Sequence, residues 1–136
     1  MAEGIEELKD RIGVEREVGV YQIEKAKITS FARAIGDPNP RWQDIAPPSL
    51  IPTLGFARIL PELISLFPTL LHGSTELECH QPVRAGDRIT VSSQLAKLRQ
   101  RAGKDNRPVA FLTIELTYKN QRQELVARCR QVLIAQ

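Results

Sequence analysis

The sequence predicts an α+β fold in one domain, with a curved antiparallel sheet wrapped around a long buried central helix. Three observations lead to this prediction. The first half of the chain carries helical patterns, and the pattern between Leu50 and Phe67 is apolar on nearly every side. From His72 onward, apolar residues recur at every second position, which is the period of a β-strand. A helix without a polar face must be covered, and the strands that follow it are the economical cover.

The composition is that of a single globular domain. The chain has 136 residues, of which 42% are hydrophobic and 26% charged, and it contains neither a repeat nor a low-complexity tract. This balance argues against disorder. The apolar stretch from Leu50 to Leu71 contains Arg58, Glu62 and three prolines, so we expect no membrane span. We therefore treat residues 1–136 as one domain, in which residues 1–16 form either a short helix or a loose N-terminal arm.

The cysteines and the N-terminal residues indicate the cellular compartment of the protein. Cys79 and Cys129 form no metal-ligand pattern with the two histidines of the chain, and we predict that both are reduced, half-buried core residues. The acidic start, Met-Ala-Glu-Gly, does not have the composition of a secretory signal. Together these features predict a cytoplasmic protein without a metal site.

Charge is unevenly distributed along the chain. Residues 1–83 hold 8 basic and 12 acidic side chains, whereas residues 84–136 hold 11 basic and 4 acidic ones. Five of the basic residues flank Gly103, namely Lys97, Arg99, Arg101, Lys104 and Arg107. They either form a solvated hairpin tip that discourages edge pairing or attract a polyanion. Nucleic acid is the less favoured polyanion, because no aromatic residues are interleaved with these charges.

The first elements are a short strand and a helix. Residues 18–23 have the alternation of a strand. Between Lys25 and Ile35 the apolar residues fall at helical spacing on one face. Gly36 can take a positive φ at the helix end, and Pro38 bars continuation.

The central helix is predicted to begin at Ser49 as its N-cap. It is expected to be kinked or divided after about Leu60, because Pro61 lacks an amide proton. Four strands are expected after it. They contain residues 75–79, residues 89–95, residues 110–118 and residues 124–134, and turns at residues 84–87 and 119–121 separate them.

At this point the sequence resembles a known family. Gly36-Asp37-Pro38-Asn39-Pro40 is similar to the GDxNP signature of the MaoC-like hydratases and dehydratases, which have the hot-dog fold. The segments 46–49 and 72–87 resemble the start of that family's central helix and its first core strand. The resemblance is to the N-terminal-type branch, which includes FAS1-type dehydratase domains. It covers most of the chain, from about Ile12 to Ile134.

The resemblance implies addition of water to a trans-2-enoyl thioester, or loss of water from a (3R)-3-hydroxyacyl thioester. In the family, an Asp and a His of the GDxNPxH motif hold the water. Asp37 matches the catalytic acid, and Asn39 matches the asparagine that ties the loop. Trp42 stands at the histidine position, which is a departure from the family, because an indole cannot exchange a proton near neutral pH.

The other candidate site residues lie at the central helix and in the basic segment. The resemblance implies that backbone N–H groups at the start of the central helix hold the thioester oxygen. Ser49, Leu50 or a neighbour would provide them, because Pro47 and Pro48 have none. Trp42 is interpreted as pocket wall or interface packing. Arg99, Arg101 and Lys104 would contact the phosphates of coenzyme A or an acidic carrier protein. His72 and His80, an even number of residues apart and so able to share a strand face, are interpreted as structural.

Three hypotheses on function remain open. The chain is an acyl-thioester hydratase or dehydratase, in which a partner residue supplies the second proton-transfer group. Alternatively, it is a non-catalytic subunit that shapes the acyl tunnel of a histidine-bearing partner, or an acyl-thioester-binding module without chemistry. No metal or redox cofactor is implied, since coenzyme A or a carrier protein enters only as the substrate's carrier. We expect a homodimer, or a heterodimer with a second hot-dog subunit.

Overall fold

A five-stranded antiparallel sheet forms the framework of the molecule. The computed structural model of the chain describes residues 2–136. The helices are α1 (Ala2–Lys9), α2 (Lys25–Ala34) and α3 (Phe56–Leu66). The strands are β1 (Arg16–Gln22), which lies between α1 and α2, and, after α3, β2 (Leu70–Cys79), β3 (Arg88–Ala102), β4 (Pro108–Lys119) and β5 (Leu125–Ala135). The strands lie in the order β1-β3-β4-β5-β2. This architecture confirms the α+β prediction.

Strand β4 at the centre of the sheet shows why the alternating pattern predicted strands. Its even-numbered residues from Ala110 to Tyr118 are all buried, whereas Phe111, Thr113, Glu115 and Thr117 are half-exposed. The pleat sends successive side chains to opposite faces, so the buried set packs in one cluster with α3 and the exposed set forms the outer face.

The central helix is interrupted at Gly55, and α3 continues through Pro61, so the predicted division after Leu60 and the predicted N-cap at Ser49 are both wrong. Residues Pro48–Thr53 form a 3₁₀-helix that begins after Pro47, and α3 starts only after Gly55. Gly55 has a φ of +84°, a conformation that side chains disfavour. Pro61 lies within α3 on its exposed surface, where water can bond the carbonyl that loses its N–H partner.

Helix α3 buries one face and not its whole circumference. Ile59 and Leu63, four residues apart, are buried, whereas Ala57 and Arg58 are exposed and Ile64 is 55% exposed. The apolar residues of the 3₁₀-helix, Leu50 and Ile51, are buried as well. The sequence pattern suggested a helix buried all round because it merged these two segments into one.

The N-terminal segment forms the short helix and not a loose arm. Ile5 and Leu8 of α1 are 2% and 3% exposed and belong to the core. A β-carbon at Gly4 would lie 2.8 Å from the carbonyl oxygen of Leu66, so α1 and the end of α3 are in close contact.

The sheet has an exposed edge at β2. All of its residues except Leu70 and Leu77 are exposed, because only β5 pairs with it. Cys79 is therefore exposed, which corrects the prediction that it is half-buried, whereas Cys129 on the neighbouring strand is buried. A β-bulge at Gly73 shifts the pairing of β2 with β5 by one residue.

Candidate functional site

The loop after α2 holds Asp37. Ile28 and Ala32 anchor α2 in the core, and Gly36 ends the helix with a φ of +70°. The N–H of Asp37 donates to the carbonyl oxygen of Ala32 at 3.0 Å, which continues the helix-end hydrogen bonds into the loop. The helix-end signal in the sequence therefore places this carboxylate where the chain leaves α2.

Both oxygens of the Asp37 carboxylate accept hydrogen bonds. The indole Nε1–H of Trp42 donates to Oδ2 at 2.8 Å, and the backbone N–H of Asn39 donates to Oδ1 at 3.0 Å. The bond from Trp42 and, after it, the bond from Asn39 lower the pKa of Asp37 below its ordinary value. Asp37 is thus held as an ionised acceptor.

Asn39 fixes the loop from the other side. Its side-chain Oδ1 accepts the N–H of Arg41 at 3.0 Å and caps the 3₁₀-turn Pro40–Gln43, which carries Trp42. The spacing of Asp37, Asn39 and Trp42 thus closes a ring of hydrogen bonds. The structure brings these three predicted residues together.

These residues open onto a groove of about 450 Å³, whose polar lining includes Thr29, Arg33 and Gln43 in addition to the motif residues. Neither histidine of the chain is among the residues that line it. An indole N–H can donate a hydrogen bond but cannot accept a proton from water. In the described chain, the groove therefore offers one weakly basic carboxylate and no second group for proton transfer near neutral pH.

Trp42 also lines a second cavity, of about 410 Å³. The walls of this cavity are largely apolar and include Ile45, Ala46, Ile51 and Val83, with His80 at its margin. The guanidinium of Arg41 lies 5.9 Å from the centroid of the Trp42 ring. Trp42 therefore lines both the groove at Asp37 and the apolar cavity.

The structure does not bring Ser49 and Leu50 to either cavity. The N–H of Leu50 donates to the carbonyl oxygen of Pro47 at 2.9 Å, and its side chain is buried in the core. Ser49 is exposed and is not among the residues that line either cavity. Pro48 and Ile51 line the apolar cavity instead, and sequence reasoning missed both.

The two histidines do not share a strand face, so that part of the sequence reasoning is wrong. The bulge at Gly73 lies between them and reverses the alternation of side chains. His72 Nε2 lies 2.7 Å from Thr75 Oγ1, and His80 Nε2 lies 2.9 Å from Glu78 Oε1. Only His80 borders a cavity that Trp42 also borders.

Arg99, Arg101 and Lys104 lie at the opposite end of the sheet from Asp37. The Asp37 loop is joined to the turn that precedes β3. There the N–H of Ala85 donates to the carbonyl oxygen of Asp44 at 2.8 Å, and Ile45 forms an isolated β-bridge with Arg84. The basic residues lie in the last part of β3 and in the turn after it. The structure therefore separates this group from Asp37.

Two classes of feature are not found in residues 2–136. None of the helices there is long and apolar enough to cross a bilayer. The described part of the chain likewise has no cluster of His, Cys, Asp and Glu that could hold a metal ion.

Comparison with known proteins identifies relatives in sequence and solved structures of the same fold. The chain is 33% identical over 102 residues to a UPF0336 protein of Streptomyces avermitilis, covering 62% of this chain and 68% of the relative. The fold matches a chain of the C-terminally truncated HadBC (3R-hydroxyacyl-ACP dehydratase) complex of Mycobacterium tuberculosis with a TM-score of 0.79 and 17% identity, over 93% of this chain and 98% of that one.

Two further structures share the fold. The ChsH1-ChsH2 complex of Mycobacterium tuberculosis gives a TM-score of 0.75 and 19% identity, over 98% of this chain and 89% of the other. The MaoC-like dehydratase of Rhodospirillum rubrum gives 0.72 and 22%, over 94% of each chain. The family profile described as FAS1-like, dehydratase domain region, matches residues 10–129. The chain therefore belongs to the FAS1-like dehydratase domain family and has the hot-dog fold of the MaoC-like dehydratases.

Proposed function

We propose that this chain is one half of a two-chain hydratase or dehydratase that acts on trans-2-enoyl or (3R)-3-hydroxyacyl thioesters, and that the proton-transfer residues come from the other half. The observation that carries the proposal is the hydrogen bond from Trp42 Nε1 to Asp37 Oδ2. It replaces the carboxylate–histidine pair of the motif with a carboxylate–indole pair.

The chemistry of that pair argues against a proton-transfer role for Asp37. Hydration needs a base for the attacking water and an acid for the α-carbon, and an efficient group has a pKa near the working pH. The donors Trp42 and Asn39 instead lower the pKa of Asp37. The carboxylate is thereby a weaker base than an ordinary aspartate, and Trp42 cannot compensate for it.

The exposed edge of β2 supports a partner chain. Its outer backbone groups have no strand beside them, and the side chain of Leu71 is 49% exposed. Such an edge is ready to pair with another strand. The HadBC and ChsH1-ChsH2 proteins, which share this fold, are both two-component complexes. A second hot-dog chain paired along β2 would extend the sheet across both subunits.

In this proposal, the apolar cavity beside Trp42 contributes to binding the substrate. Ile45, Ile51 and Val83 offer an apolar surface of the kind that an acyl chain would contact. The tunnel-forming role considered for the sequence is then the role of this chain, and its own Asp37 keeps the adjoining loop in place.

One observation favours a second candidate, in which the chain acts without a histidine-bearing partner. His80 lines the same cavity as Trp42, so it could supply the second proton-transfer group for Asp37. In that case the chain alone would have hydratase activity, and both residues would be required.

The experiment is a hydration assay with crotonyl-coenzyme A and longer trans-2-enoyl-coenzyme A substrates. The purified chain is assayed alone and after co-expression with a hot-dog chain that carries an intact GDxNPxH motif, for example one encoded beside it. We expect turnover only from the complex. The matched controls are Asp37→Asn in this chain and the equivalent substitution in the partner's motif.

Asp37→Asn should change kcat of the complex by less than about threefold, whereas the partner's substitution should lower it by a factor on the order of 10² or more. Turnover by the chain alone that is lost in both Asp37→Asn and His80→Gln would establish the second candidate. Binding of the substrate without turnover in every combination would leave the chain as a binding module and contradict the proposal.

A further inference from the structure

The basic residues near Gly103 form an ordered row on the outer face of the sheet. Lys97, Arg99 and Arg101 follow one another at every second position of β3, and they pair with Thr113, Phe111 and Val109 of β4. All three basic side chains are exposed, and their spacing is about 7 Å between successive residues. Lys104 and Arg107 add two exposed charges at the turn.

These charges are available to an external partner. None of the five forms a salt bridge with a residue in the described part of the chain, where eight other salt bridges occur. The guanidinium of Arg101 lies 5.6 Å from the ring centroid of Phe111, which holds that side chain against the sheet.

An apolar strip runs from this row to the β2 edge. Arg99 pairs with Phe111, Phe111 pairs with Ile134, and Ile134 pairs with Leu71. Phe111 and Ile134 are half-exposed, and Leu71 is exposed. We call the three apolar residues together with Lys97, Arg99 and Arg101 the outer-face strip. Its basic side lies on β3, and its apolar side reaches the edge at which we propose that the second chain pairs.

The shape and position of the outer-face strip decide what it fits. It is part of an open sheet surface, and its basic residues line none of the cavities described above, so it lacks the enclosure that a small phosphate ligand needs. An extended basic row beside an apolar strip is complementary to an acidic, amphipathic protein surface. We infer that the outer-face strip is the docking surface for an acidic carrier protein that delivers the acyl thioester, and that it serves the centre of the paired subunit and not Asp37.

The assignment to the paired subunit follows from the topology and rests on the proposed function. Arg99 lies eleven residues beyond Arg88 along β3, about 36 Å of extended strand, and the Asp37 loop is joined to the Arg88 end. A second hot-dog sheet related to this one by an approximate twofold axis would pair its β2 edge with the β2 edge of this chain in antiparallel orientation. The end of β2 that carries Leu71 would then lie beside the C-terminal end of the partner's β2. That end of the partner's strand is the one nearest to the partner's own motif loop.

The test compares two carriers of the same acyl group on the two-chain complex. The substrates are crotonyl-coenzyme A and a purified acidic acyl carrier protein that bears a crotonyl thioester. The variant is Arg99→Glu with Arg101→Glu, both on β3. The matched control is Arg88→Glu on β3 with Lys119→Glu on the neighbouring strand β4, which makes the same charge change at the other end of the sheet. Melting temperatures verify that each variant is folded, and Arg99→Gln with Arg101→Gln provides a milder second variant.

We expect the glutamate variant to raise KM for the carrier-protein substrate by about tenfold or more, with kcat and the KM for crotonyl-coenzyme A unchanged. The glutamine variant should raise KM less, and the control should not raise it. An equal rise in KM for both substrates, or no rise for either, would overturn the inference. The same comparison in an Asp37→Asn background should give the same rise in KM, because the partner's centre is the one served; loss of the effect there would overturn the assignment to the partner.

Direct binding separates this inference from the proposed function. If no partner chain confers turnover, the affinity of the carrier protein for the purified chain still reports on docking. A loss of affinity in the glutamate variant that the control does not share supports the docking surface even then. Equal affinities of the variant, the control and the unchanged chain would refute it.

Discussion

Trp42 and Asp37 form a direct hydrogen bond of 2.8 Å between the indole Nε1 and the carboxylate Oδ2. An indole thus contacts the carboxylate at the sequence position where the family motif has a histidine. The contact keeps the loop closed and the carboxylate ionised. The indole N–H can only donate a hydrogen bond, however, and cannot accept a proton as a histidine can.

Replacing Trp42 with Phe should raise the pKa of Asp37, because the largest cause of its lowering is removed. A carboxyl group with a lowered pKa in the folded state contributes stability above its unfolded pKa and loses that contribution as the pH falls through its folded pKa. The variant should therefore have a weaker dependence of stability on pH in the acid range. Carbon-detected NMR titration of the Asp37 carboxyl measures the pKa. Asn39→Ala is the control, because it keeps the backbone N–H that donates to Asp37, and an Asp37 pKa unchanged by Trp42→Phe would contradict the prediction.

Glu62 joins α3 to the N-terminal segment through two arginines, and we expect this link to fail in acid. Arg16 and Arg11 both bond its carboxylate and lower its pKa, with Arg16 the larger cause. The contribution of this cluster is present above the unfolded pKa of Glu62 and is lost as the pH falls through the lower folded pKa.

Glu62→Gln should therefore reduce the difference in urea midpoint between neutral pH and about pH 3. Glu6→Gln removes the exposed pair with Lys9 and should change stability by less than about 0.5 kcal/mol. A pH dependence that is the same in Glu62→Gln and the unchanged chain would refute the role of this cluster.

Tyr118 carries a buried hydroxyl that costs stability. The side chain is fully buried, and within residues 2–136 its Oη has no hydrogen-bond partner. Burial also raises the pKa of this phenol. Since an unsatisfied buried polar group costs about 1–3 kcal/mol, Tyr118→Phe should increase the free energy of unfolding by about 1 kcal/mol. Equilibrium urea unfolding measures this change. Tyr21→Phe, at a half-buried position, is the comparison and should have a smaller effect; destabilisation by Tyr118→Phe would mean that the hydroxyl is bonded.

Gly55 separates the 3₁₀-helix from α3, and Gly55→Ala should be strongly destabilising. A β-carbon there would lie 3.0 Å from Cγ1 of Val91, in addition to the cost of a φ of +84°. Gly13 provides a matched control, because its φ is +79° but a β-carbon would meet no atom within 4 Å. Gly13→Ala should cost about 1–2 kcal/mol for the backbone alone. Gly55→Ala should cost clearly more in the same urea measurement, and equal costs would show that packing against Val91 is unimportant.

The sequence predicted the sheet well because its signal is local. In β4, residues alternate between the core and the outer surface, and every buried position from Ala110 to Tyr118 carries an apolar or aromatic side chain. The break in the central helix could not be predicted in this way. An isolated proline in a helix costs more than an isolated glycine, so sequence reasoning placed the break at Pro61. Contacts of Gly55 with Val91 and Val18, which are distant in sequence, decide the position instead.

For similar reasons, only the part of the candidate site that lies in one loop could be predicted. Asp37, Asn39 and Trp42 lie within one short loop, so their spacing is sufficient to bring them together. The residues at the start of the central helix depend on the type of helix, however. A 3₁₀-helix has three residues per turn, so Pro48 and Ile51 face the cavity together, whereas Ser49 and Leu50 do not. The bulge at Gly73 likewise places His72 and His80 on opposite faces of the sheet. Nothing in the alternation of the sequence indicates this bulge.

The order of strands in the sheet has a consequence for how the chain folds and opens. Strands β3, β4 and β5 follow one another in the sequence and are neighbours in the sheet, so they can form from local contacts. Strand β2 instead pairs with β5, so that Leu70 must come together with Ala135, which is distant in the sequence. Strand β2 therefore closes a long loop and belongs to the part of the sheet that opens most easily. Its amide hydrogens should exchange with solvent faster than those of β4 in the chain alone, and they should become protected when a second chain binds this edge.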